Sequence, residues 1–311
     1  MKKERTGLHK VALAALFTVG NALLRYPWRQ SDSGVLMLFL LSAAGALIPA
    51  FLLYPLFRKI WRAPLSKHGG RRFLVGVLSI AFGAYALYCA WRGWGDYLDF
   101  SMKLVLPHGS RFLLTVAFLG CAAWMATLTD RGMDSFSLVA FLGVLACVLF
   151  LFCAGIPHFR WDGAEEWIRW DPSALQSLPA LWGESLLPLT VLSVYFALTV
   201  PKGGERSLAL GTGVGCILLF LCVMQALLTF GASYAAELAY PYSYSVRILS
   251  VGQYFFRLEG FSYLLDYLSC LWRCAVSLAV TRRLLGRFFP RLGRYAPLCG
   301  AGLIFAIFII R

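Results

Sequence analysis

Residues 240–273 read YPYSYSVRILSVGQYFFRLEGFSYLLDYLSCLWR. They follow one long apolar run and lead into another, yet Arg247, Arg257, Glu259, Asp266 and Arg273 stand among leucines and aromatic residues. A charge beside so much apolar surface is costly, so each one requires a partner, a wet cavity or an interface. Two readings follow. Either an amphipathic loop precedes a helix whose ends snorkel, or the stretch is a pore- or ligand-facing element of a transport-like protein.

Outward from this stretch, the chain reads as an all-α polytopic membrane protein. Of its 311 residues 59% are hydrophobic and 14% charged, against roughly 45–50% and 25% in a soluble domain. Apolar runs of spanning length recur throughout. The longest polar segment, residues 157–177, is too short for a core of its own. The net charge is +14, but the Lys and Arg residues sit in short loops. There they set orientation and meet anionic headgroups, which argues against nucleic acid as a partner. The nine cysteines lie in or beside apolar runs without a CxxC pair, and read as small hydrophobes. The four histidines are scattered, so neither a metal site nor a cofactor is expected. No nucleophile triad, Walker loop or dinucleotide fingerprint occurs, so an enzyme is not expected.

Nine spans are predicted, at residues 8–24, 34–57, 73–91, 111–128, 136–154, 181–200, 208–230, 258–285 and 298–310. With this count, Lys2 to Lys10, Arg58 to Arg72, Lys202 to Arg206 and Arg282 to Arg294 fall on one side. The acidic loop with Asp162, Glu165, Glu166 and Asp171 falls on the other. The positive-inside rule then puts the N-terminus in the cytoplasm. Residues 240–254 are too polar to span and are expected to form a short outer helix around Arg247 that caps a cavity.

Two spans carry interruptions. Gly20-Asn21 sits within the first, and Pro179, Gly183-Glu184 and Pro188 cluster at the start of the sixth. Gly and Pro free backbone groups that hydrocarbon cannot satisfy. These spans open two halves of one transmembrane domain, residues 8–154 and 178–311, and paired breaks mark the site of an inverted-repeat transporter fold. The alternative is that Gly packs against a neighbouring helix and Pro marks a loop edge.

Several segments resemble, in order, the B subunit of spore germinant receptors, the GerA-type spore germination permease family of the amino acid/polyamine/organocation superfamily. They are VGNALLRYPWR (Val19 to Arg29), DFSMKLVLPHG (Asp99 to Gly109), TDRGMDSFS (Thr129 to Ser137) and LPALWGES (Leu178 to Ser185). The fullest match is Tyr240-Pro241, then Arg247 to Gly252, then Arg257-Leu258-Glu259, with Arg273 where that family has Lys or Arg. The resemblance implies a LeuT-like bundle in the inner membrane of an endospore. It also implies a nutrient-binding subunit working with an A-type membrane subunit and a C-type lipoprotein. The chain departs from the family at Leu138, Tyr244 and Asp266, where Arg, an acid and a hydrophobe are usual. It also has nine spans where that fold has ten.

On this reading a small nutrient, expected to be an amino acid, binds between spans one, three, six and eight. Free amides after Gly20-Asn21 would receive its carboxylate. Carbonyls near Gly183, with Glu184 or Asp266, would receive its ammonium. Tyr85 and Tyr88, three apart on one face, would wall the pocket. Each has a structural alternative. Glu184 pairs with Arg257 or Arg273, Asp266 balances Arg273 two turns on, and the tyrosines pack. A stand-alone amino-acid transporter and a scaffold subunit without ligand are the competing functions.

Overall fold

In the computed structural model the described residues are 2–23, 35–62, 69–161, 167, 178–200, 203–249, 258–288 and 290–310. Among them the chain is helical and contains no strand. The helices are α1 (Lys2–Ala22), α2 (Val35–Ala46), α3 (Tyr54–Arg62), α4 (Gly69–Phe100), α5 (Arg111–Thr127), α6 (Asp130–Gly155), α7 (Leu178–Thr199), α8 (Gly204–Phe230), α9 (Ala232–Glu237), α10 (Pro241–Ile248), α11 (Glu259–Phe288) and α12 (Pro290–Ile310). Short π-helical turns join α2 to α3 at Pro49–Leu53 and extend α4 at Ser101–Val105.

Five helical stretches are long and apolar enough to cross a bilayer: Val35–Trp61, Phe73–Val105, Asp130–His158, Gly204–Phe230 and Glu259–Phe288. The shortest has 27 residues, about 40 Å of α-helix against a hydrocarbon core of about 30 Å. The chain is therefore built as a helical membrane protein.

Their surroundings differ. The best apolar window of Glu259–Phe288 is 83% buried, that of Asp130–His158 only 28%. So α11 is the central post of the bundle, although it is the stretch richest in charge, while α6 turns much of its apolar surface outward. Around α11 stand α4, α12, α1, α5, α6 and α7.

Small residues allow this density. α1 lies against α8 where Gly211 and Gly215, four apart, face Val11, Ala14, Ala15 and Thr18. A Cβ on Gly211 would lie 2.4 Å from that of Ala14, and one on Gly215 2.7 Å from that of Thr18. Close approach through small-xxx-small pairs is how helices associate where no water drives them together.

The expected break in the first span is absent: α1 is helical through Gly20 and Asn21 and ends at Ala22. The reason is packing. A Cβ on Gly20 would fall 2.0 Å from the Ser269 carbonyl oxygen, so the glycine is required by the backbone of α11. The sixth-span cluster is likewise helical, with Pro188 inside α7. Pro179 sits in the first turn, where no donor is missed, and Pro188 frees the carbonyl of residue 184 from its usual partner. Three helices run beyond the predicted spans: α1 begins at Lys2, α3 carries Arg58 and Lys59, and α6 begins at Asp130. In the last case the Thr129 hydroxyl accepts from the Gly132 amide at 3.2 Å, an N-cap at the start of the quoted TDRGMDSFS segment.

Candidate functional site

Asp266 is fully buried on α11. One carboxylate oxygen, Oδ2, accepts a hydrogen bond from the Ser243 hydroxyl at 3.3 Å; the other, Oδ1, has no hydrogen-bond partner among the described residues. Ser243 comes from α10, the short helix expected around Arg247. Pro241 starts that helix with its φ already set and no donor to lose. The helix does not lie on the outer surface as expected. Pro241, Tyr242, Ser243, Ser245 and Val246 are buried, and α10 packs against α8 and α11. Its exposed side carries Arg247, which donates to the Leu104 carbonyl at 3.4 Å and lies over the Tyr244 ring.

A narrow cavity joins these parts. Leu23, Tyr240, Pro241, Tyr242, Ser243 and Asp266 line it. The space left for the centre of a water-sized group is about 10 Å³, enough for one water or one ammonium group. Leu23 directly follows α1, so the C-terminal end of α1 forms one wall. Gly20 packs on the main chain of Ser269, three residues beyond Asp266, and Asn21 is buried beside it. The end of the first helix, the short helix α10 and the acid of α11 therefore meet at one place.

The other sequence candidates lie elsewhere. Tyr85 and Tyr88 stack on each other with ring centroids 6.4 Å apart, and Tyr88 packs on Trp91. Tyr88 is 49% exposed, so it faces outward, and neither tyrosine lines the cavity. Glu259 opens α11, where an acid complements the helix N-terminus. Gly183 and Glu184 lie within α7, the Glu184 side chain is outside the described residues, and so is Arg257.

Arg273 is not balanced by Asp266. Its guanidinium donates to Asp96 Oδ2 on α4 at 3.2 Å. The two α11 groups share a helix face in sequence, but the lateral packing of α4 supplies a nearer carboxylate. Gly93, one turn before Asp96, clears the way: a Cβ there would meet the Arg273 side chain at 3.3 Å. We expect reversal of either charge alone, Asp96→Arg or Arg273→Asp, to abolish the monodisperse peak in size-exclusion chromatography. The double reversal should recover much of it, and pairing Asp266→Arg with Arg273→Asp should not.

A second buried pair escaped the sequence reading. Lys10 Nζ donates to Asp134 Oδ1 at 2.6 Å, and both side chains are nearly inaccessible. Tyr195 of α7, fully buried, lies under both Lys10 and Arg283, at 5.3 Å and 4.6 Å from its ring centroid. Arg283 in turn pairs with Asp130. No signal in a single sequence links Lys10 to Asp134. Asp134 falls between the predicted spans 111–128 and 136–154, where an acid is ordinarily solvated. Comparison with protein-family models and with curated proteins finds no match to this chain.

Proposed function

We propose that the chain is the nutrient-sensing membrane subunit of a spore germination receptor. On this reading it has a LeuT-like bundle of two related halves, and it receives the ammonium group of a small nutrient, an amino acid first of all, at Asp266. The observation that carries the reading is the buried Asp266 carboxylate, with one oxygen unpartnered among the described residues, at a cavity of ammonium size. An ionisable group inside a membrane bundle is expensive and is kept for a function. An ammonium supplies both the opposite charge and the missing donor. The rest of a ligand requires α10 and the end of α1 to move apart. The bundle then has two arrangements, and the ligand favours the one it fits better. That shift would reach the A-type and C-type partner subunits.

The same carboxylate also favours a second reading, a stand-alone secondary transporter in which Asp266 takes the coupling cation. A thermal-shift panel of amino acids, sugars and nucleosides on the detergent-purified chain tests the first reading. A ligand at about one hundred times its Kd adds about 2.7 kcal/mol, a rise of about 4 °C in a chain of this size. Asp266→Asn should remove the rise while leaving the protein monodisperse. A shift retained in that variant, or none with any compound, defeats the reading. Gradient-driven accumulation in proteoliposomes without partner subunits supports the transporter instead.

A further inference from the structure

We infer that the opposite end of α11 holds a phosphate-bearing anion. A concave pocket of about 600 Å³ opens where the α5–α6 turn meets the crossing of α11 and α12. Thr129, Asp130, Arg282, Arg283, Arg287 and Gly293 line it, so three guanidinium groups face one carboxylate. Arg283 and Arg287 are four apart and share a helix face. Arg283 takes the carboxylate, pairing with Asp130. Arg282 donates instead to the main-chain carbonyl of Ala126 at 2.9 Å, in the last turn of α5. That bond fixes the guanidinium but leaves its charge unneutralised, since no carboxylate among the described residues pairs with it. Arg287 donates to the carbonyl of Trp61.

A guanidinium whose position is set by a carbonyl still presents a planar edge of N–H donors. That edge matches two oxygens of a phosphate. The pocket rim adds the N-terminus of the 26-residue helix α6, whose first-turn amides and dipole favour the same charge. The floor is bare because α11 and α12 touch through glycine: a Cβ on Gly293 would fall 2.2 Å from the Gly286 Cα. The volume exceeds that of a free phosphate and leaves room for what the phosphate is attached to. The pocket lies toward the C-terminal end of a helix long enough to cross a bilayer, and basic pockets between such helices take anionic lipid heads. On α5 and α6 beside it, Trp124 and Val139 are exposed apolar surface for acyl chains. An anionic phospholipid headgroup and a soluble phosphate share this chemistry, and the site is independent of Asp266.

The test uses the full chain purified in detergent. Native mass spectrometry and thermal melting are run with phosphatidylglycerol, with phosphatidylcholine and with inorganic phosphate. The expected result is one phosphatidylglycerol retained per chain, and binding weakened at least about tenfold in Arg282→Gln, equivalent to about 1.4 kcal/mol. Arg282→Lys keeps the charge and should retain part of the binding, and Arg287→Gln is a second variant should Arg282→Gln misfold. Arg160→Gln, at an exposed arginine on a distant turn, should change nothing. Stabilisation by inorganic phosphate alone, lost in Arg282→Gln, supports the site and assigns it to a soluble anion. Equal retention of phosphatidylcholine and phosphatidylglycerol, undiminished binding in Arg282→Gln and Arg287→Gln, or no response to either anion overturns the inference.

Discussion

Replacing Lys10 by methionine is expected to lower the melting temperature of the detergent-solubilised protein by about 5–8 °C. Lys10 and Asp134 are 6% and 7% exposed and joined at 2.6 Å. Removal of one partner leaves the other as an uncompensated buried charge, at a cost of about 3–5 kcal/mol. In a chain of this size each kcal/mol moves the midpoint by about 1.5 °C. Tyr195 lies under Lys10 and under Arg283, and Arg283 is already paired with Asp130, so the buried pair sits beside a second one that has its own partner. The double variant Lys10→Met with Asp134→Leu removes both charges together and should recover most of the loss, because well-packed apolar residues can replace a buried ion pair at little cost. Melting followed by size-exclusion chromatography decides the matter. Equal loss in the single and double variants would show that the pair's geometry, rather than its charge balance, holds α1 to α6.

The second large effect is steric. Gly20→Leu should prevent α1 from seating on α11. The first added carbon already falls 2.0 Å from the Ser269 carbonyl oxygen and 2.4 Å from its carbon. Those are backbone atoms of the central helix and cannot rotate aside as a side-chain tip would. Overpacking in a well-filled core costs about 1–3 kcal/mol, and here the whole α1–α11 contact must open. The expected outcome is loss of the monodisperse species, with Gly20→Ala intermediate. Gly143 in α6 is the control, since a Cβ there meets nothing within 4 Å. Gly143→Ala should be neutral or raise stability by up to about 1 kcal/mol through helix propensity. Because Leu23, just beyond α1, lines the Asp266 cavity, partial displacement in Gly20→Ala also opens that site. A stable Gly20→Ala variant is therefore expected to show an altered ligand response.

Much of the chain was readable without coordinates because the signal is local. Glu259–Phe288 was predicted as a span at 258–285, and Arg111–Thr127 at 111–128. In such runs apolar content and length leave the backbone one way to satisfy its own hydrogen bonds. The short helix before α11 was expected from its polarity and begins at Pro241. Gly20 is the instructive failure. A glycine at mid-span is equally a place where a helix unwinds and a place where another helix touches it, and composition cannot choose. The neighbour at Ser269 chose.

The same holds for the charges of residues 240–273. By itself the sequence determined that this is a helical membrane protein, roughly where its helices run, and that Asp266 and Arg273 sit in apolar surroundings and require answers. Only the tertiary structure decided what those answers are. Arg273 is met by Asp96, Asp266 by Ser243 with one oxygen left over, and Lys10, which looked like a loop charge, by Asp134. Hydrophobicity acts residue by residue along the chain. A buried ion pair joins residues 124 or 177 positions apart, and which two meet depends on which helices lie side by side.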